Sequence, residues 1–92
     1  MIKGITSGGF SFKIDEEARD DMELLETISQ LDSGEMELLP KVIEMLLGKK
    51  QKDALYEHCR GKSGRVSAKK VMNEIKSIFD NIKESESKTK NL

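Results

Sequence analysis

Residues 36–55, MELLPKVIEMLLGKKQKDAL, run from a mostly apolar segment straight into a cluster of lysines. Pro40 has no backbone N–H to donate, so a helix can hold it only in its first turn. A helix therefore begins just before Pro40, carries Leu39, Val42, Ile43, Leu46 and Leu47 as its stripe, and stops at Gly48. The lysine-rich remainder, KKQKDALYEHCR at about 49–60, reads as a separate helix with Leu55 and Cys59 inward and Gly61 at its end.

Toward the N-terminus, Met22, Leu25, Ile28 and Leu31 recur at three-residue steps with Leu24 beside them. That period predicts a helix over roughly 20–32, capped by Asp15 or Asp20 and ended by DSG at 32–34. Before it, GGFSFKID places Phe10, Phe12 and Ile14 on one side of a period-2 pattern, with Ser11 and Lys13 on the other. Gly8-Gly9 offers a two-residue hairpin back onto IKGIT, although Gly4 weakens that strand. A lone hairpin is marginal in water, so it lies on the helices, pairs with another chain, or stays a mobile arm.

Toward the C-terminus, GKSGR is a turn, and Ser67 then caps the clearest helix of the chain. Val66 and Val71 have the spacing of a hydrophobic staple across that cap. Val71, Met72, Ile75, Ile78, Phe79 and Ile82 continue one apolar face to about Lys83, and ESESKTKNL follows as a polar tail without periodicity. No internal repeat is present. The expected fold is all-α: a small bundle of about four helices (16–84), with a short extended or hairpin N-terminal arm (1–15) and a disordered tail (85–92).

The chain has 92 residues, which is the size of one domain with a thin core, burying about 60 to 65% of its unfolded surface. Apolar and charged residues each make up 36%, and there is no Trp. The single cysteine, Cys59, excludes an intramolecular disulfide and fits a reducing cytosol. Met1–Gly9 lacks the apolar run of a signal peptide, and no segment approaches the roughly 20 apolar residues of a membrane span. A soluble cytosolic protein is expected.

The formal net charge of −1 hides an asymmetry. Residues 1–47 carry eleven acids and four bases (−7), whereas 48–92 carry twelve bases and six acids (+6). Two readings stand: acidic and basic helices pack together inside one monomer, or neighbouring copies meet head to tail. In the second, Asp20, Asp21 and Glu23 face Lys49, Lys50 and Lys52 of a neighbour, with Phe10 and Phe12 contributing from the arm.

Little in the chain resembles a catalytic site. GKSG at 61–64 has the lysine-serine ending of a phosphate loop, but Tyr56 stands where the first glycine belongs, and a helix rather than a strand precedes it. His58 and Cys59 are adjacent, hence about 100° apart on a helix, so they neither ligate one metal together nor form a nucleophile pair. The acids of DEEARDDMELLE lack calcium-loop spacing. No cofactor or metal is expected, and enzymatic activity is not. A nucleic-acid-binding, helix-turn-helix-like regulator is the alternative, using Lys49, Lys50, Lys52, Arg60, Lys62, Arg65, Lys69 and Lys70. The overall pI of about 5.9, the three arginines and the absence of interleaved aromatics weigh against it.

DDMELLE, LLPKVIEMLLG, ALYEHCR and GRVSAKKVMNEI, in this order and spacing over about residues 10–83, resemble the small tail assembly chaperones of long-tailed bacteriophages. The resemblance implies a helical protein of the infected host cell's cytoplasm that is absent from the mature virion. It implies a protein that binds the tape measure protein, keeps it soluble, and is displaced as tail tube subunits polymerise. It also implies self-association, and in many phages a frameshifted extension that recruits the tail tube protein.

Residues 38–47 are apolar over more than one stripe, which a single helix has difficulty burying against its own small domain. Leu38, Leu39, Val42, Ile43, Leu46 and Leu47 are therefore the candidate partner-binding surface, part core and part interface. Met22, Met36, Met45 and Met72 add side chains that adapt to varied helical partners.

Overall fold

A computed structural model describes the backbone of residues 1–90 and the side chains of residues 1–83. It corrects the all-α expectation. The molecule is a two-stranded antiparallel sheet packed on three helices: β1 (Ile2–Ile5), β2 (Ser11–Ile14), α1 (Met22–Asp32), α2 (Leu39–His58) and α3 (Ala68–Lys90). Short 3-10 turns, Glu16–Asp20 and Met36–Leu38, lead into α1 and α2.

The hairpin is a layer of the fold and not an appended arm. Its register pairs Ile2 with Ile14, Lys3 with Lys13, Gly4 with Phe12 and Ile5 with Ser11. Alternation then turns Ile2, Phe12 and Ile14 to one face, where they are buried along with Phe10, while Lys3, Ile5, Ser11 and Lys13 face out. A helical bundle alone would leave the inner faces of α2 and α3 unfilled; the three aromatic and isoleucine side chains of β2 and its entry fill them. The turn also differs from the two-residue loop expected. Thr6 N–H donates to Phe10 C=O and Gly9 N–H to Thr6 C=O, both at 2.9 Å, with Gly9 at φ 90°. This is a three-residue loop, Ser7-Gly8-Gly9, ending in a left-handed glycine. Gly4 is a steric requirement: a Cβ there would sit 2.8 Å from Phe12 Cζ.

Asp21, and not Asp20, caps α1, its carboxylate accepting from Glu23 N–H at 2.9 Å and Leu24 N–H at 3.2 Å. Asp15 caps the preceding 3-10 turn by accepting from Glu17 N–H. Pro40 occupies the first turn of α2. The two helices expected on either side of Gly48 are one span, interrupted where Gly48 takes φ 81° and ψ 162°. Ser67 caps α3, its hydroxyl accepting from Lys70 N–H at 3.2 Å. Between α2 and α3 the chain closes a small loop on the Arg60–Val66 bridge, and Arg60 Nη1 donates to Gly64 C=O at 2.6 Å. The expected disordered tail, 85–92, lies outside the described side chains, and for Asn91 and Leu92 outside the described backbone too.

The core joins all layers. Ile14, Val42, Ile43, Leu55, Cys59 and Ile78 are the most completely enclosed side chains, with Leu24, Leu46, Leu47, Val71 and Ile75 around them. Each large apolar side chain buried this way stabilises the fold by roughly 1.5–3 kcal/mol relative to exposure.

Candidate functional site: an apolar groove between α1 and α3

The face of α2 that the sequence offered as a partner surface is mostly core. Val42 and Ile43 are fully buried, Leu46 and Leu47 nearly so, and Leu38 and Leu39 half-buried. The extra apolar stripe that seemed too wide for one small domain is absorbed because α2 is covered from two sides, by the β-hairpin and by α1 with α3. Phe10 and Phe12, offered for self-association, are buried for the same reason; the Phe10 ring lies 5.5 Å from that of His58. Val42, Ile43, Leu47, Phe10 and Phe12 offer no surface on the folded monomer, whereas Leu39 and Leu46 reach surface hollows.

The exposed apolar side chains lie elsewhere. Met22 is 71% exposed, Leu25 50%, Met36 44% and Met72 43%. All but Met22 border two hollows that meet at Phe79. The larger, about 440 Å³, is lined by Leu31, Met36 and Leu39 on one side and by Met72, Ile75 and Phe79 on the other. The smaller, about 100 Å³, continues past Phe79 between Leu25 and Ile28 of α1 and Ile82 of α3, with Leu24 and Leu46 at its base. Together they form an apolar groove between α1 and α3. Two of its bordering side chains, Met36 and Met72, are methionines, whose unbranched thioethers repack around different partners. Its lining is of the kind that accommodates apolar side chains presented at helical spacing.

The sequence put Met22, Leu25 and Met72 on the apolar stripes of their helices, and it offered Met22, Met36 and Met72 as side chains that adapt to partners. The distinguishing signal is weak: α1 has neighbouring apolar lines, and it is Leu24 and Thr27 that turn inward.

The groove's charged lining is sparse. On α1, Asp32 borders the larger hollow, while Glu23 and Glu26 line neither. On α3, Lys76 borders the larger hollow, and Lys69 and Lys83 stand seven residues to either side of it. Seven residues return a helix to within about 20° of the same direction, so these lysines form one line. Arg19 borders the α1 end of the smaller hollow.

The residues proposed for head-to-tail contact are partly occupied locally. Asp20, Glu23 and Lys50 are exposed, and Asp21 is half-buried at its cap. Lys49 pairs with Asp53 at 3.2 Å; Lys52 pairs with Glu44 at 3.5 Å and lies over the Tyr56 ring. Of the basic residues considered for nucleic acid, Arg60 is engaged by Glu57 at 2.8 Å. That contact holds the Glu57 carboxyl below the usual range and raises the Arg60 guanidinium. Lys62, Arg65, Lys69 and Lys70 are exposed around the loop and the start of α3.

A second, polar cleft lies on the opposite side of α3, between Ser7, Gly8, His58, Cys59, Lys70 and Glu74. Glu74 is buried, accepts a hydrogen bond from the Thr6 hydroxyl, and has His58 Nε2 at 3.6 Å. Cys59 is 1% exposed, and burial pushes its thiol up, with the Glu74 carboxylate adding to the rise and Lys70 opposing it. A buried thiol shifted in that direction is a poor nucleophile. The cluster ties the hairpin turn to α3; its groups are spent on one another. Among the described residues no group of three or more His, Cys, Asp and Glu is placed to hold a metal ion, and no helix is long and apolar enough to cross a membrane.

No protein family, curated protein or solved structure matches the chain.

Proposed function

We propose that this protein is a non-catalytic tail assembly chaperone of a long-tailed phage, which holds the tape measure protein through the groove between α1 and α3. The observation that carries the proposal is the pair of apolar hollows meeting at Phe79, bordered by exposed Met36 and Met72. The resemblance of residues 10–83 to that family supplies the identity of the partner. Holding requires no chemistry: apolar faces of a long helical protein are covered until tail tube subunits replace the chaperone. In this reading the protein works in the host cytoplasm and does not enter the virion. Several copies act together along one partner, and recruitment of the tail tube protein falls to a frameshifted extension.

The test is co-expression with the tape measure protein encoded alongside it. Wild-type chain should keep that protein in the soluble fraction, and Met72→Asp, which changes an exposed side chain, should not. Equal solubility with wild type, with the variant and with no chaperone would reject the proposal.

A further inference from the structure

The two edges of the hairpin are not finished alike. Lys13 stands opposite Lys3 and turns its N–H and C=O away from β1, to the side chain of Gln51. In an antiparallel pair, both residues of such a position point their backbone groups outward, and the pattern repeats every second residue. Lys3 and Ile5 therefore direct N–H and C=O to the outer edge of β1, where neither has a hydrogen-bond partner among the described residues. We propose that this edge binds an extended segment of another protein as an antiparallel third strand, with an acid beside Lys3 and an apolar residue beside Ile5.

Lys3 and Ile5 can each exchange a pair of backbone hydrogen bonds with the residue across from it, which gives affinity without reading sequence. Side chains do the reading. Lys3 and Ile5 both point to the outer face of the sheet, and Ile5 is 65% exposed. Beside them lies a shallow hollow of about 510 Å³ bordered by Lys3, Ser11, Lys13 and Gln51, and no acid lines it. Neither lysine is in an ion pair among the described residues, and like charges directly opposite on a sheet are unfavourable. A carboxylate arriving beside Lys3 offsets that repulsion. In an antiparallel strand the residue beside Ile5 comes two positions before the one beside Lys3, so the segment reads apolar, any, acid. Its middle residue turns inward beside Gly4, on the side where Asn81 lies.

A second copy fits this edge poorly. Its β1 would bring another Lys3 onto a face that already holds Lys3 and Lys13 without an acid. Beneath β1 runs α3, with Ser77 Oγ accepting from Ser7 N–H at 2.9 Å and Asn81 under Gly4. Paired strands stand about 4.8 Å apart, whereas packed helices need about 8–10 Å, so two copies joined here would drive their α3 helices together. A single strand from another protein meets no such obstacle. The edge shares no residue with the groove between α1 and α3, so this site is additional to the one that holds a helical partner.

The probe is a threonine-rich peptide of about nine residues with Val and, two positions later, Glu at its centre; the control has Lys in place of Glu. Near saturation the Glu peptide should shift the amide signals of Lys3 and Ile5 in the full chain and slow their hydrogen exchange about tenfold. The Gly4 amide, which faces Phe12 within the hairpin, should keep its exchange rate. The Lys peptide should bind about fivefold more weakly at low salt. In the variant Lys3→Glu, whose fold circular dichroism checks, the order of the two peptides should invert; the comparison on wild-type chain stands without it. Absence of protection at Lys3 and Ile5, equal binding of the two peptides to wild type, or signals that move at Met72 and Phe79 instead overturn the proposal. Protection that appears without peptide and grows with protein concentration gives the edge to a second copy and overturns it too. None of these outcomes touches the solubility of the tape measure protein, so the two proposals fail separately.

Discussion

The side-chain amide of Gln51 satisfies both backbone groups of Lys13: its Oε1 accepts from Lys13 N–H at 2.9 Å, and its Nε2 donates to Lys13 C=O at 2.8 Å. Lys13 faces Lys3 across the hairpin, and its outer N–H and C=O would otherwise await a third strand. Gln51 imitates that strand from α2 while also donating to Leu47 C=O at 2.8 Å. Replacing it by Ala leaves the contact to water and should cost about 1–2 kcal/mol. Denaturant unfolding measures the loss, and amide exchange at Lys13 should rise more than at Phe12, whose side chain stays buried. Unchanged exchange at Lys13 would show that the clamp does not hold the edge.

The turn of the hairpin is held from the other helix. A Cβ on Gly8 would collide with Glu74 Oε1, so Gly8→Ala forces the buried carboxylate aside. Overpacking of this kind costs about 1–3 kcal/mol. The expected signature is coupling: Gly8→Ala should be far less damaging in a Glu74→Ala background, because the clash has gone. Additive effects of the two changes in thermal unfolding would mean that Gly8 serves the turn and not the contact.

These two contacts show where the sequence was readable and where it was not. The alternation of Phe10, Phe12 and Ile14 marked a strand with one apolar face, and the stripe from Val71 to Ile82 marked α3. What covers that strand is a long-range packing outcome with no local signature, and treating the hairpin as an arm produced the all-α expectation. Glu74 could have been noticed: it falls with Val71, Ile75 and Ile78 at helical spacing, so an acid stands on the buried line of α3. Gln51 could not, since an amide among lysines on an amphipathic helix looks like ordinary solvated surface. The exposed methionines were visible as residues, but only the splay of α1 from α3 makes them a groove.

Gly48 interrupts α2 with φ 81° and ψ 162°, a backbone conformation that nearly excludes residues with a Cβ. Nothing lies within 4 Å of the position a Cβ would take, so crowding is not the obstacle. Gly48→Ala should therefore destabilise by about 1–3 kcal/mol through backbone strain alone, lowering the denaturation midpoint without altering the slope. A neutral or stabilising result would indicate that α2 straightens to accept the alanine, moving Lys49–His58 relative to the hairpin.

Cys59 gives a pH-dependent readout. Burial, reinforced by the Glu74 carboxylate, raises its thiol in the folded chain. A raised folded value means that the neutral thiol contributes stability present below the unfolded thiol's range and lost as pH rises through the folded value. Alkaline titration should therefore destabilise wild type more than Cys59→Ala, once the cavity cost of the substitution is subtracted. At about pH 8, thiol labelling of native protein should be slow and limited by opening of the fold, and denaturant should release it. Fast labelling of the native chain would contradict the enclosed position.

The separation of core from groove yields the sharpest comparison. Ile43 is completely buried, so Ile43→Ala should remove about 2–5 kcal/mol of stability, and an Asp there should unfold the domain. Met72 is 43% exposed at the groove's edge, so Met72→Asp should leave the unfolding midpoint within about 0.5 kcal/mol of wild type. Loss of partner solubility with Met72→Asp at unchanged stability is binding lost from a folded surface. The same loss with an Ile43 variant carries no such meaning, because the groove is built on that side chain's core. If instead Met72→Asp unfolds the chain, the groove is closed in solution and α1 packs on α3 more tightly than the hollows allow.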